Sequence, residues 1–276
     1  MRPFTGMDFT RRYRTPCHAR SLRRLIVAVS RRVGVVVGAF VIASGLATTA
    51  CAQGGAPLVT EDTNTTPMGG WEINLAGTFA RMPGVTEVLA PDLDINYGLA
   101  ERVQVKAELP WVTVRDDEAP ARAGIGRAVV GVKWRLSGAG GADGSLALFP
   151  QYAWSARRSS VRRGIVPDGH QWLLPVIGSM HVGSVPVAVD AGRTWGADGS
   201  GWAAGIVAGM PCDAPFECGM EIRQSRAHHR HATLINTGLR WRIDDSVSLL
   251  AAVGHEFGTS DDRRRVLGYF ALQLRR

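Results

Sequence analysis

The side chains best placed to do chemistry are charges set at alternate positions. Glu72, Asp92, Asp94, Lys106, Glu108, Lys133 and Arg135 each sit in a run where every second residue is polar. Uncharged Asn74, Asn96 and Gln104 share those runs, and Glu221, Arg223, Arg240 and Arg242 repeat the theme later, with Glu217 beside them. Residues two apart on an extended chain point the same way, so acids and bases collect on one face of several strands. Such a face can line a polar path that selects solutes by charge. It can equally close on itself as ion pairs, and the spacing leaves both readings open.

Three further groups invite a chemical reading. His228, His229 and His231, with Arg226 and Arg230, could hold a metal or an anion, because neutral imidazole is a common ligand. A solvated polar loop is the plainer account of them. Ser155, Ser179 and Ser248 could share a side with His181, which would suit a lipid hydrolase, yet no G-x-S-x-G element surrounds any of them. His170 and His255 bring no nucleophile either, so no catalytic residue, cofactor site or metal site is expected and the chain is not read as an enzyme. Cys212 and Cys218 are close enough for a disulfide across a turn in an oxidising compartment, whereas a metal would need two more soft ligands nearby.

The elements that must position these residues are strands. Trp71 to Phe79, Asp92 to Tyr97, Val103 to Leu109 and Val130 to Leu136 all alternate apolar with polar residues. Twelve such segments are predicted, at 71–80, 88–97, 103–113, 126–136, 146–156, 170–182, 185–195, 202–210, 216–224, 233–243, 247–256 and 266–274. Their connections alternate too. Short ones such as 183–184 and 244–246 face longer, charged ones at 115–118, 157–169, 225–231 and 258–265, with a Gly-rich turn at 137–145 as the exception. Alternation alone does not separate a soluble sandwich from a membrane barrel. The loop asymmetry and the absence of helix-period segments favour an all-β, antiparallel up-and-down transmembrane β-barrel of about twelve strands. A charge facing lipid near the midplane of such a barrel costs about 2–4 kcal/mol for Arg or Lys. The charged register is therefore expected to face the lumen. The tryptophans fall mostly near strand ends, as aromatic girdles do.

An export signal completes this reading. Residues 1–32 hold nine arginines against one acid, Asp8. Removing those ten from the chain's 32 basic and 24 acidic residues leaves 23 of each, so the net charge of +8 belongs to the leader. No basic face remains for nucleic acid. The apolar run Val33 to Ala43 and the small residues ending at Ala50-Cys51-Ala52 predict a signal peptide over 1–52, cleaved before Gln53. Thr48-Thr49-Ala50-Cys51 is a poor lipobox, and Ser30-Arg31-Arg32 only faintly like a twin-arginine signal. Residues 53–70, rich in Thr, Gly and Pro, are expected on the periplasmic side as a free tail or folded back as a plug, ahead of a barrel over 71–276.

Pro57 to Thr65 followed by Gly70-Trp71-Glu72-Ile73-Asn74 resembles the N-terminal signature of the outer-membrane transporter family associated with the meta-pathway of phenol degradation. Pro91 to Leu99, Gln104 to Pro110 and Gly124 to Arg135 are similar to its later blocks, with Arg127 where an acid is expected. The resemblance spans 57–152 and implies an outer-membrane barrel that moves small molecules, aromatic or apolar compounds among them. Leu274 and two arginines stand where such barrels usually end in an aromatic residue. The expected function is a passive channel or transporter in the outer membrane. The alternatives are a non-conducting structural or partner-binding barrel and, further off, a lipid hydrolase. Its expected partners are outer-membrane lipid, the barrel-assembly machinery and a small solute.

Overall fold

The structure, a computed structural model, describes residues 54–138, 144–197, 199–227, 230–258 and 265–276. The predicted leader and His228 and His229 lie outside the described residues. Strand segments β1 (Trp71–Met82), β2 (Val85–Ala100), β3 (Val103–Asp116), β4 (Ala119–Ile125) and β5 (Arg127–Ser137) come first. Next are β6 (Ser145–Leu148), β7 (Gln151–Ser155), a short helix α1 (Arg158–Arg162), β8 (His170–Val182) and β9 (Val185–Gly196). The chain closes with β10 (Gly199–Met210), β11 (Phe216–Ala227), β12 (Arg230–Arg242), β13 (Val247–Gly258) and β14 (Arg265–Arg275).

Neighbouring strands pair antiparallel around the sheet, and β1 pairs with β14, which closes it. The fourteen segments are twelve staves. Segments β4 and β5 both pair with β3, and β6 and β7 both pair with β8, so each couple is one stave with a break. Gly126 makes the first break, and Phe149-Pro150 the second, where proline has no N–H to give the ladder.

The staves are longer than alternation predicts. β3 runs to Asp116 and β4 begins at Ala119, so half of the expected charged loop 115–118 is strand and only 117–118 form the turn. The described residues of the expected loop 225–231 are likewise part of the β11–β12 ladder, where Arg226 pairs with His231. Polar residues near a tip continue a ladder once their neighbours pair, and alternation cannot register this. The termini and one set of turns mark one end of the barrel, here the terminal end; the other is the loop end. At the loop end β1 and β2 are joined through Gly84, whose φ of 77° is the left-handed conformation that favours glycine.

Exposed outward positions are apolar on nearly every stave, among them Leu75, Leu93, Leu109, Leu174, Ile206, Ile222, Ile235, Val253 and Phe270. Buried inward positions include Asn74, Lys133, Asp190, Glu221, Arg240 and Gln273. This inside-out distribution is what lipid outside and protein or water inside would select. The aromatic residues form two bands. Trp71 against Tyr97 and Phe216 against Trp241 lie at the terminal end, and Tyr152 contacts Trp154, His170 and Trp172 near the loop end.

Candidate functional site in the barrel lumen

The fourteen residues singled out for the lumen all occupy the inward register. Glu72 and Asn74 are on β1; Asp92, Asp94 and Asn96 on β2; Gln104, Lys106 and Glu108 on β3. Lys133 and Arg135 follow on β5, Glu221 and Arg223 on β11, and Arg240 and Arg242 on β12. Most are paired. Lys106 Nζ lies 3.4 Å from Asp94 Oδ1 and 2.8 Å from Glu108 Oε2. Glu217 takes Arg240 at 3.3 Å and Arg242 at 3.2 Å, and Arg275 reaches Glu72 at 2.9 Å. Gln104 donates to Asn96 and Gln273 donates to Asn74, while Arg135 donates to the Glu101 carbonyl. Asp92 Oδ1 is buried without a hydrogen-bond partner among the described residues.

Residues 54–66 run inside this ring and bind its wall in order. The Ala56 carbonyl accepts from Arg240 on β12 at 3.0 Å. Val59 and Thr60 donate their N–H groups to Glu221 on β11, at 3.0 and 2.6 Å, and the Thr60 hydroxyl donates to Glu221 as well. The Glu61 N–H meets Asp190 on β9, whose other oxygen takes Arg223 at 2.6 Å. Thr63 bonds Ser179 on β8 and Ser145 on β6, and Thr66 gives its N–H to Gln104 on β3. Lys133 on β5 holds the Glu61 carboxylate at 2.7 Å and the Asp62 carbonyl at 3.2 Å. Main-chain donors buried inside a barrel need acceptors, and the wall charges supply them. The choice between tail and plug is thereby made: the segment lies in the lumen.

Its charges feel the enclosure. Burial works to raise the Glu61 pKa, but Lys133 and then Lys106 outweigh it and hold this carboxyl below its ordinary value. For Asp62 burial prevails over Lys133, and its pKa is raised.

Glycine makes the room. A Cβ at Gly205 on β10 would collide with Thr60 Oγ1, and at Gly238 on β12 it would stand 2.9 Å from Leu58 Cδ2. Leu58 itself packs on Ala188 and Val207 of the inner wall. These inward glycines were the overlooked signal in the sequence, since a barrel strand that needs no clearance has little use for them. The connection 157–169, expected as a longer charged loop, also contributes to the inner wall. Ile165 and Val166 are buried against Val112, with Leu89, Val114 and Val161 alongside, so this connection folds onto the inner wall. Val161, Ile165 and Val166, set among arginines and small residues, carried that information.

Space remains on the side the segment does not cover. A cavity of about 520 Å³ lies at the terminal end, and another of about 310 Å³ lies nearer the loop end. Both are bounded by Ala56, Glu61, Asp94 and Lys106, which form their common boundary.

The other candidates are not brought together. Ser179 is engaged by Thr63, and Ser155 donates to the Pro167 carbonyl. Ser248 is buried on β13, His181 is exposed near the terminal end of β8, and His255 faces outward against Phe257. His231 is exposed on β12, and no cluster of three or more potential metal ligands occurs among the described residues. Cys212 and Cys218 are joined as a disulfide beside the β10–β11 turn, with Cα atoms 5.9 Å apart.

No family model and no curated protein matches the chain. Solved structures do. An outer membrane channel from Pseudomonas putida F1 superposes with a TM-score of 0.61 at 12% identity, covering 78% of this chain and 98% of that one. The KdgM porin superposes at 0.50 and 12% identity, over 74% and 98%. The fold is that of outer-membrane channels. At such identity the likeness speaks for the closed antiparallel barrel alone.

Proposed function

We propose that the protein is an outer-membrane channel through which small molecules diffuse passively, with residues 54–66 as an internal constriction. The observation that carries this reading is the pair of lumen cavities with Ala56, Glu61, Asp94 and Lys106 as their common boundary, which we read as the neck of one path. Nothing in such a path requires a covalent step: paired charges hold the walls apart and a solute exchanges one hydrated surface for another. The end with short turns and the N-terminal segment faces the periplasm in this reading, as in other barrels of the type. Aromatic or apolar compounds are the proposed solutes. The family resemblance supports them, as does the second cavity, where Leu58, Leu267 and Tyr269 face Asp92 and Glu108.

The test is solute flux into liposomes carrying the full chain, together with single-channel recording. Flux that saturates with solute size would support the channel. A silent wild type that becomes leaky when residues 54–66 are deleted would favour the second reading, a closed structural barrel. The near-complete pairing of lumen charges is what recommends that alternative. Silence of both forms would end the channel reading.

A further inference from the structure

The outward faces of the two ends differ in charge. At the terminal end the outward residues that finish the staves are mainly aromatic or apolar, Trp71, Tyr97, Trp134, Phe216, Trp241 and Leu274 among them, with Arg276 beside Trp71 just past β14. At the loop end the outward register carries arginines. Arg193 on β9 pairs with Trp202 on β10, and Trp202 pairs with Arg226 on β11. The row continues to His231 on β12. Arg193, Trp202, Arg226 and His231 are all exposed, and no carboxylate of the described residues pairs with either arginine.

The arrangement repeats. Arg81 on β1 and Arg115 on β3 flank Thr86 of β2 in the same manner. Each arginine pair spans two strand spacings, roughly 10 Å at about 4.8 Å per strand. Four residues further into the membrane band from Trp202 and Arg226 come Ile206 and Ile222, themselves cross-strand partners and exposed. That is about 13 Å at 3.3 Å per residue, a headgroup-to-chain distance. Between them stand Ala204 and Gln224, which leave the surface shallow.

We infer that the outward row Arg193–Trp202–Arg226 binds a multiply phosphorylated glycolipid of the surrounding leaflet, the arginines taking its phosphates and the isoleucine row its acyl chains. The chemistry follows from the residues. Guanidinium forks match phosphate oxygens, and two forks held about 10 Å apart by a rigid sheet suit a headgroup with two phosphates better than one with a single phosphate. Trp202 between them presents an amphipathic ring at the polar boundary. The inference rests on the outer-membrane placement proposed above, and it also assigns the loop end to the leaflet that carries such lipid.

The test measures binding of the detergent-solubilised full chain, by native mass spectrometry, to four lipids. These are a bisphosphorylated acylated glucosamine disaccharide, its monophosphorylated and dephosphorylated forms, and phosphatidylglycerol. Wild type should prefer the bisphosphorylated form over the dephosphorylated one by at least about tenfold, with the monophosphorylated form between. Arg193→Gln combined with Arg226→Gln should lower that preference, and adding Arg81→Gln with Arg115→Gln should abolish it, while Arg102→Gln, in a terminal-end turn, should leave it. Equal binding of the dephosphorylated lipid or of phosphatidylglycerol by wild type would overturn the inference, with no variant needed. So would a double variant that still migrates as a heat-modifiable folded barrel and binds like wild type. A wild-type chain with no heat-modifiable form would instead strike the membrane reading itself.

Discussion

Glu221 Oε1 accepts both the main-chain N–H and the hydroxyl of Thr60, each at 2.6 Å, across 161 positions of sequence. Its second oxygen takes Val59 N–H and Asn236, so a buried carboxylate spends its acceptors largely on the N-terminal segment. Hydrogen bonds to a charged group are worth about 1.5–3 kcal/mol each. Glu221→Ala should therefore loosen residues 54–66 while the barrel stays closed. The expected result is higher conductance and faster cleavage within the segment by added protease, with an unchanged heat shift in SDS. Glu221→Gln, which keeps an acceptor, should fall between.

Clearance predicts a second route to the same state. Gly205→Val places bulk where Thr60 sits, and Gly238→Val does so against Leu58. A valine suits a strand, so the barrel should fold and the segment should be displaced. A cysteine introduced at position 60 should then react with a water-soluble maleimide in the valine variants and stay protected in their parent. Equal reactivity would mean that the segment is not held by this fit.

The neck sets the expected ion preference. Lys106 stands between Asp94 and Glu108. Lys106→Met leaves two carboxylates beside the path and should shift the reversal potential in a salt gradient toward cations. Asp94→Asn with Glu108→Gln leaves the lysine and should shift it toward anions. Identical reversal potentials in both would show that ions do not pass this neck.

Acidity should act on the segment in two opposed ways. Glu61 has a lowered pKa when docked, so its contribution is complete above the ordinary glutamate value of about 4.3 and is lost as the pH falls through the lower docked value. Asp62 has a raised pKa, so its ionised form weakens docking at neutral pH and protonation relieves that cost as the pH falls through the docked value. Protease accessibility of the segment should not increase on acidification until the pH is below about 4.3. Asp62→Asn should tighten docking at pH 7, and Glu61→Gln should loosen it there.

The connection 156–169 offers a fifth check. Ile165→Asp would bury an unpaired carboxylate against Val112 and Val166, which protein interiors reject. The connection should leave the wall, and distances between a spin label at the exposed position 168 and one on β3 should lengthen and broaden. A sharp, unchanged distance would refute the burial.

By itself the sequence determined the strands, their inward charges and their lipid-facing residues. The period of two is local, and one misplaced charge on the outward face costs enough that the pattern is strict at Glu72, Asp94, Lys106, Lys133 and Arg240. It left strand ends imprecise, because whether Arg115 or Arg226 extends a ladder depends on a neighbouring strand. What only the tertiary structure decided is the content of the lumen. Thr60 finding Glu221, Glu61 finding Lys133 and Leu58 finding the hollow at Gly238 are contacts between residues distant in sequence. They exist only once the sheet has closed and a short polar segment has been enclosed with more acceptors than water could then supply.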